Sequence, residues 1–180
     1  MTIIYGTETG LHEFNSVLWT EDHEGFPGSA RSHDVFGYDL VAGNFGKGPE
    51  QDLVIGAPGR DVSGQNGAGA MFVLYGSPGG AQNEGAQMFT EATEGVPANP
   101  ALNDGLGGSL AAGNLGHGGR SDLVAGMPTK DHGHIDNGMA LVLYGTPDGL
   151  SAAHAQVWYE EKVAVQSGDG DEFGLSLIHI

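Results

Sequence analysis

Cysteine is absent from the 180-residue chain. No disulfide can staple it, and thiol usage carries no information on its redox compartment. Basic residues are scarce: six Lys and Arg stand against 23 Asp and Glu, a formal net charge of −17. That balance excludes nucleic acid as a partner, because its phosphates must be neutralised by Lys and Arg. No run approaches the roughly 18 apolar residues that a membrane-spanning helix requires. The first residues, MTIIYGTE, lack the basic region and apolar stretch of a secretory leader. No window of useful length repeats apolar residues at helical spacing. Glycine, by contrast, is abundant at 33 residues. It recurs between apolar runs, as turn punctuation in an ordered fold does.

What is present is repetition. Read from Tyr5, Tyr75 and Tyr144, the segments YGTETGLHEFNSVLWTE, YGSPGGAQNEGAQMFTE and YGTPDGLSAAHAQVWYE align without a gap, at steps of 70 and 69 residues. A second register agrees: DLVIGAP begins at Asp52 and DLVAGMP at Asp122. A third is Phe36-Gly37, Leu106-Gly107 and Phe173-Gly174. Self-similarity at this period means one supersecondary unit stacked on copies of itself.

Residues 36–91 hold one unit. A first apolar run, Tyr38 to Phe45, precedes a polar connection from Gly46 to Gln51. Leu53-Val54-Ile55 follows and is closed by Gly56-Ala57-Pro58, where proline ends ladder pairing. A glycine-rich loop, Gly59 to Gly67, leads to Ala70–Tyr75, which is apolar at every position. Continuous apolarity over about six residues predicts a strand buried on both faces. A turn over Gly76 to Gly85 then leads to Gln87–Thr90, whose copies place Trp19 and Trp158 where Phe89 sits. Four short strands with short connections make an antiparallel meander. A β-sandwich would require alternating strands with one solvated face, and the third strand does not alternate. The predicted fold is therefore all-β: a β-propeller fragment of four-stranded antiparallel blades.

At this point the residues resemble a known family. Phe36-Gly37 followed by Gly56-Ala57-Pro58 is similar to the signature of the FG-GAP repeat, and the unit resembles the blades of the integrin α-subunit N-terminal propeller. The next unit replaces FG by Leu106-Gly107 and GAP by Gly126-Met127-Pro128, keeping the apolar bulk, Gly and Pro. The resemblance implies a ring of about seven blades, of which some two and a half are present here. Residues 1–35 are the second half of a blade with its linking loop; 36–105 and 106–172 are full blades with theirs. Residues 173–180 are the first strand of another, although Ile178-His179-Ile180 departs from the Ala-Ala-Gly that follows Leu110. The chain is expected to be part of a longer protein, and its stack to leave two apolar sheet faces uncovered.

In the family, the turn between strands one and two often binds calcium through several oxygen ligands. The matching positions here are Asn44, Gly46, Gly48 and Asp52, and Asn114, Gly116, Gly118 and Asp122. Two glycines replace two ligands in each, and Lys47 or His117 adds positive charge. The expectation is no cofactor, with calcium the ion these degenerate loops would take, and with Asn44 and Asp52 hydrogen-bonding across the turn.

A meander sends its loops alternately to two rims. The linking loops (21–35, 91–105, 160–172) and the loops between strands two and three hold 15 acids against Arg31, Arg60, Lys130 and Lys162, a net −11; the opposite rim nets −3. By resemblance the acidic rim is the ligand face, and loops on a rigid scaffold commonly carry binding residues. The candidate residues are Asp22, Asp34, Asp61, Asp104, Asp131, Asp136 and Asp171. They face a protein or polysaccharide ligand of cationic character; a solvated acidic surface explains the same charge. His132-Gly133-His134 beside Asp131 and Asp136 has the residue types of a divalent-metal site, but the matching loop, Asp61 to Asn66, has no histidine.

Catalytic motifs are lacking. Gly107-Gly108-Ser109 starts like a nucleophile elbow, but Ala111 stands where the closing glycine belongs. Gly67-Ala68-Gly69 lacks the third glycine and helix of a dinucleotide site, and Gly46-Lys47 lacks a P-loop's spacing. The sequence predicts a non-catalytic, extracellular binding and adhesion scaffold. The alternative is the accessory propeller of a secreted, phospholipase-like hydrolase whose catalytic domain lies elsewhere.

Overall fold

Ladder pairing accounts for nearly all the regular structure in the computed structural model, which describes residues 1–116, 118–163 and 167–177. His117 and Ile178–Ile180, singled out above, lie outside these. Two complete meanders follow one another. The first joins β5 (Leu40–Gly43), β6 (Asp52–Ala57), β7 (Ala70–Ser77) and β8 (Gly80–Phe89) in sequence order. The second joins β9 (Leu110–Gly113), β10 (Asp122–Met127), β11 (Met139–Thr146) and β12 (Gly149–Trp158) in the same way. All neighbours are antiparallel. Ahead of them, β1 (Thr2–Ile3) pairs with β4 (Val17–Leu18), and β2 (Gly6–Thr7) with β3 (Gly10–Leu11). Among the described residues, helix is confined to single turns, a 3-10 turn at Glu13–Asn15 and α1 at Glu160–Val163. The chain is nearly all β, as a propeller fragment requires.

Alternate residues of β7 serve two different cores. Phe72 and Leu74 join Trp19, Phe26 and Ile55 in the layer toward the N-terminal strands, where Phe26 stacks on Phe72 at 5.0 Å. Met71, Val73 and Tyr75 join Val54, Leu123, Leu141 and Leu143 in the layer between the two full sheets. Five consecutive side chains are thus buried on both faces of one strand, each contributing roughly 1.5–3 kcal/mol. This is why the run is apolar throughout.

The layers approach closely enough that glycine is obligatory. A Cβ on Gly56 would stand 2.1 Å from Gly107 O, and one on Gly126 would stand 2.0 Å from Gly174 O. The glycine closing strand two of one unit presses on the glycine opening the next, which explains the FG and GAP signatures as two halves of one contact. Within each unit the same two motifs are joined by a backbone bond: Gly37 N donates to Gly56 O at 2.9 Å and Gly107 N to Gly126 O at 3.1 Å.

Three expectations change. The first strand is shorter than Tyr38 to Phe45, because Gly37 and Tyr38 donate to Gly56 O rather than to a ladder partner. The predicted turn from Gly76 to Gly85 is a two-residue turn, Pro78-Gly79, after which β8 begins at once. Its polar start pairs with Tyr75–Ser77, and a register shift between Val73 and Tyr75 absorbs the extra residues. Exposed apolar side chains do occur beside the N-terminal strands, at Leu11, Phe14 and Leu18, but Val142 and Tyr144 of the last sheet are buried rather than open.

Candidate functional site: the rim of linking loops

The linking loops 91–105 and 160–172 are each fastened to the sheet they leave. Asn103, Gly105 and Leu106 donate backbone N–H bonds to Asn66, Gly67 and Ala68 of the β6–β7 loop, at 2.8–3.0 Å. One unit later Gly170, Glu172 and Phe173 repeat the pattern on Ile135, Asp136 and Asn137. The two kinds of loop therefore share one rim.

The strongest charges on that rim point inward. Arg60 Nη1 donates to Glu21 Oε1 at 2.7 Å, Asp34 Oδ2 at 2.8 Å and Ser29 O at 3.2 Å. Lys130 Nζ donates to Glu91 Oε2 and Asp104 Oδ2, both at 2.7 Å, and to Asn99 O. All six ionisable side chains are buried. Asp34 and Asp104 accordingly leave the surface expected of them: each is under 4 % exposed, and its Oδ2 accepts from both the cation and a backbone N–H, of Arg31 and Ala101 respectively. Burying a charge demands such a partner.

Two carboxylates against one cation leave an excess of negative charge. Burial, followed by the adjoining Asp34, pushes the Glu21 carboxyl up to about 7. Burial, followed by Asp104, pushes Glu91 up to about 8. Burial also works against the Lys130 ammonium, but bonds and charges from Asp104 and Glu91 outweigh it and raise its pKa. A buried ion cluster adds little net stability over apolar packing, yet removing one partner is costly. The clusters therefore act as registers that fix each linking loop to the next sheet.

The remaining candidate residues stay near the surface. Asp22 accepts from Ala30 N at 2.9 Å, Asp61 from Gly67 N at 3.0 Å, Asp131 from Asp136 N at 2.8 Å, and Asp171 from Gly168 N. Each shapes its own loop while leaving its carboxylate partly open to solvent. Asp136 is half-buried in the left-handed region. The two histidines of the HGH stretch diverge: the His132 ring lies tilted against Tyr159 with ring centres 4.0 Å apart, and His134 Nδ1 lies 3.3 Å from Asp169 Oδ1. Among the described residues, no three His, Asp or Glu side chains converge as a metal site would require.

On the opposite rim, the degenerate loops close on themselves. Asp52 Oδ2 accepts from Phe45 N at 2.7 Å and Gly46 N at 3.2 Å, and its Oδ1 from Gly76 N at 2.8 Å. Asp122 repeats this with Leu115 N and Gly145 N. Desolvation outweighs those donors at Asp52 and raises its carboxyl. Asn44 donates to Gly48 O at 3.1 Å and accepts from Arg120 of the following sheet; Asn114 donates likewise to Gly118 O. Ser109, the residue of the failed elbow, donates its hydroxyl to Gly174 O and so belongs to a sheet junction.

Arg60 and Lys130 are the residues that sequence reasoning missed, having counted them only as rim charge. A signal existed: Glu21 and Glu91, Asp34 and Asp104, and Arg60 and Lys130 are each 70 residues apart. A charge that recurs in register within an apolar repeat is structural.

No family model matches the chain. Over 148 residues, 81% of its length, it is 29% identical to the phosphatidylinositol-glycan-specific phospholipase D of Homo sapiens and 30% identical to the protein of that name from Rattus norvegicus. The matched stretch is 16% of either relative, so the chain spans a small part of their length.

Proposed function

We propose that this chain is a segment of an extracellular, integrin-α-like FG-GAP propeller acting as a non-catalytic binding and adhesion scaffold. Its ligand face is the rim of linking loops, with Asp22, Asp61, Asp131, Asp136 and Asp171 toward a protein or polysaccharide of cationic character. The observation that supports this reading is the sorting of charge on the rim: both buried cations are spent inside the fold, while acids outnumber bases among the exposed residues. Immobilised polylysine tests it. The chain should bind at 50 mM salt and lose most of that binding near 500 mM, since exposed charge is screened over about 10 Å at 0.1 M. Binding that ignores salt contradicts the proposal. On this reading the strand one–two turns, held by their own hydrogen bonds, take no calcium.

A second reading has its own support. Similarity to phosphatidylinositol-glycan-specific phospholipase D favours an accessory propeller beside a phosphodiester-cleaving domain. Both readings leave this segment without catalysis of its own. Incubation with a glycosylated phosphatidylinositol should release no product, and turnover by the chain alone would overturn both.

A further inference from the structure

Along the outer strands, the second sheet junction is sealed where the first is open. At the second, Leu150 N donates to the Tyr75 hydroxyl at 2.8 Å, and that hydroxyl donates to Gln87 Oε1. Gln87 Nε2 donates in turn to Leu150 O at 3.2 Å. Leu150 and Ala152 are buried beneath this network. One unit earlier, the counterparts of Gln87, Leu150 and Ala152 are Val17, Ala81 and Asn83. Valine cannot hydrogen-bond, and alanine is too short to fill leucine's place. Among the described residues, nothing bonds the Tyr5 hydroxyl. The framework is otherwise kept: a Cβ on Gly80 would stand 2.4 Å from the Tyr5 hydroxyl oxygen, as one on Gly149 would stand 2.2 Å from that of Tyr75. Both junctions have every wall element, namely the end of a third strand, a fourth strand, its linking loop and the next sheet's three–four turn. The difference therefore lies in side chains alone.

What remains at the first junction is a cleft of about 810 Å³ between β4 and the start of β8. That volume lies within the range of small-molecule sites, roughly 300–1,000 Å³. Among the described residues, no Asp, Glu, Lys or Arg lines it, in a chain with 23 acids. One side is apolar, with Val17, Pro78, Ala81 and the Tyr5 ring. The other offers neutral hydrogen-bonding groups. Asn83 is held by its Nδ2, which donates to Glu24 O, so its Oδ1 remains open. The His23 ring rests on Trp19 with ring centres 4.5 Å apart, and its nitrogens bond nothing among the described residues. Gln82 and Ser16 stand exposed at the mouth.

We propose that this cleft binds a neutral saccharide. Its wall has no cation to hold a phosphate or carboxylate and no carboxylate to hold an amine, and an unpaired charge would be costly there. A pyranose has the complementary make-up. Its C–H face suits the apolar side and the aromatic ring. Its hydroxyls each donate and accept, matching the Tyr5 hydroxyl, the His23 imidazole and the amide oxygens of Gln82 and Asn83. The Tyr5 hydroxyl, freed by Val17 and Ala81, takes from the sugar the bonds that Tyr75 takes from Gln87 and Leu150. The inference does not rest on the ligand proposed for the rim. That ligand is cationic and salt-sensitive, so polylysine binding and sugar binding can fail separately.

Tryptophan fluorescence tests it. The chain has two tryptophans, so a Trp158→Phe form reports on Trp19 in the cleft wall alone. Methyl mannoside, N-acetylglucosamine, maltose and lactose are titrated in turn. At least one should change the emission with a Kd of about 10 mM or tighter. Because the ligand is neutral, that Kd should be the same at about 50 and 500 mM salt. Ala81→Leu combined with Asn83→Ala copies the sealed junction. It should weaken binding by at least about tenfold and leave Tm within about 2 °C. Tyr5→Phe removes a hydroxyl that bonds nothing in the fold, so it should weaken binding about three- to tenfold with Tm unchanged. Weaker binding by all four sugars contradicts the proposal. So does binding that both changes leave intact, or that salt abolishes. If the sealed variant does not fold, Tyr5→Phe decides.

Discussion

The two sheet junctions follow one plan with different cations. At the first, Arg60 bonds Glu21, Asp34 and a backbone carbonyl through Nη1 alone, and its guanidinium carbon lies 5.5 Å from the centre of the Phe72 ring. At the second, the three N–H groups of the Lys130 ammonium meet Glu91, Asp104 and a backbone carbonyl, and the residue corresponding to Phe72 is Leu141, which has no π face. The socket demands one nitrogen with three acceptors around it. Both side chains meet that demand; arginine adds a planar surface, and the neighbouring core residue differs accordingly. The repeat conserves the electrostatic geometry and lets the apolar backing vary.

The largest effect should come from breaking one junction while leaving the other. Lys130→Met keeps the stem's bulk but strands two carboxyls, at a cost of about 3–5 kcal/mol. Urea unfolding should show that loss, with the slope against denaturant also altered if the second sheet detaches first. An unchanged midpoint would show that the cluster contributes nothing to holding the sheets.

Proton linkage gives a smaller effect. Glu21 and Glu91 are pushed up to about 7 and about 8, above the ordinary glutamate value of 4.5. The folded state then binds more protons than the unfolded chain between those limits, so stability must fall as pH rises. Stability from these groups is complete below about 4.5 and lost through pH 7–8. Melting followed from pH 5.5 to 8.5 should show a decline of a few degrees, flattened in a Glu21→Gln, Glu91→Gln double variant. A Tm that climbs over that range contradicts the protonation assigned to the clusters.

The smallest effect sharpens the Arg–Lys comparison. Arg60→Lys preserves the charge and the three acceptors but forfeits the ring contact, worth about 0.5–1 kcal/mol. It should lower Tm by about 2 °C, while Lys130→Arg, facing Leu141, gains nothing equivalent. Equal shifts for the two exchanges would remove Phe72 from the explanation.

How far the sequence reaches can be judged from particular residues. The apolar run Ala70–Tyr75 and its copies announce a doubly buried strand, because periodicity reports burial directly. The glycines at 56, 107 and 126 mark turns, but their tertiary meaning, backbone pressed on backbone across a junction, appears only when two units are placed side by side. The long β8 hides behind Asn83, Glu84 and Gly85, residues of low strand propensity that a paired outer strand tolerates. At the candidate site, single-residue charge reads as surface by default, so Asp34 and Asp104 look like ligand-facing acids until Arg60 and Lys130 are seen to reach them.

The central claim is that one unit of about 70 residues recurs and that its copies lock through paired glycines. It is tested most directly by nuclear Overhauser contacts between α-protons. The account predicts cross-peaks joining Gly56 to Gly107 and, independently, Gly126 to Gly174. A spectrum in which either pair is silent while its strands are folded would contradict it.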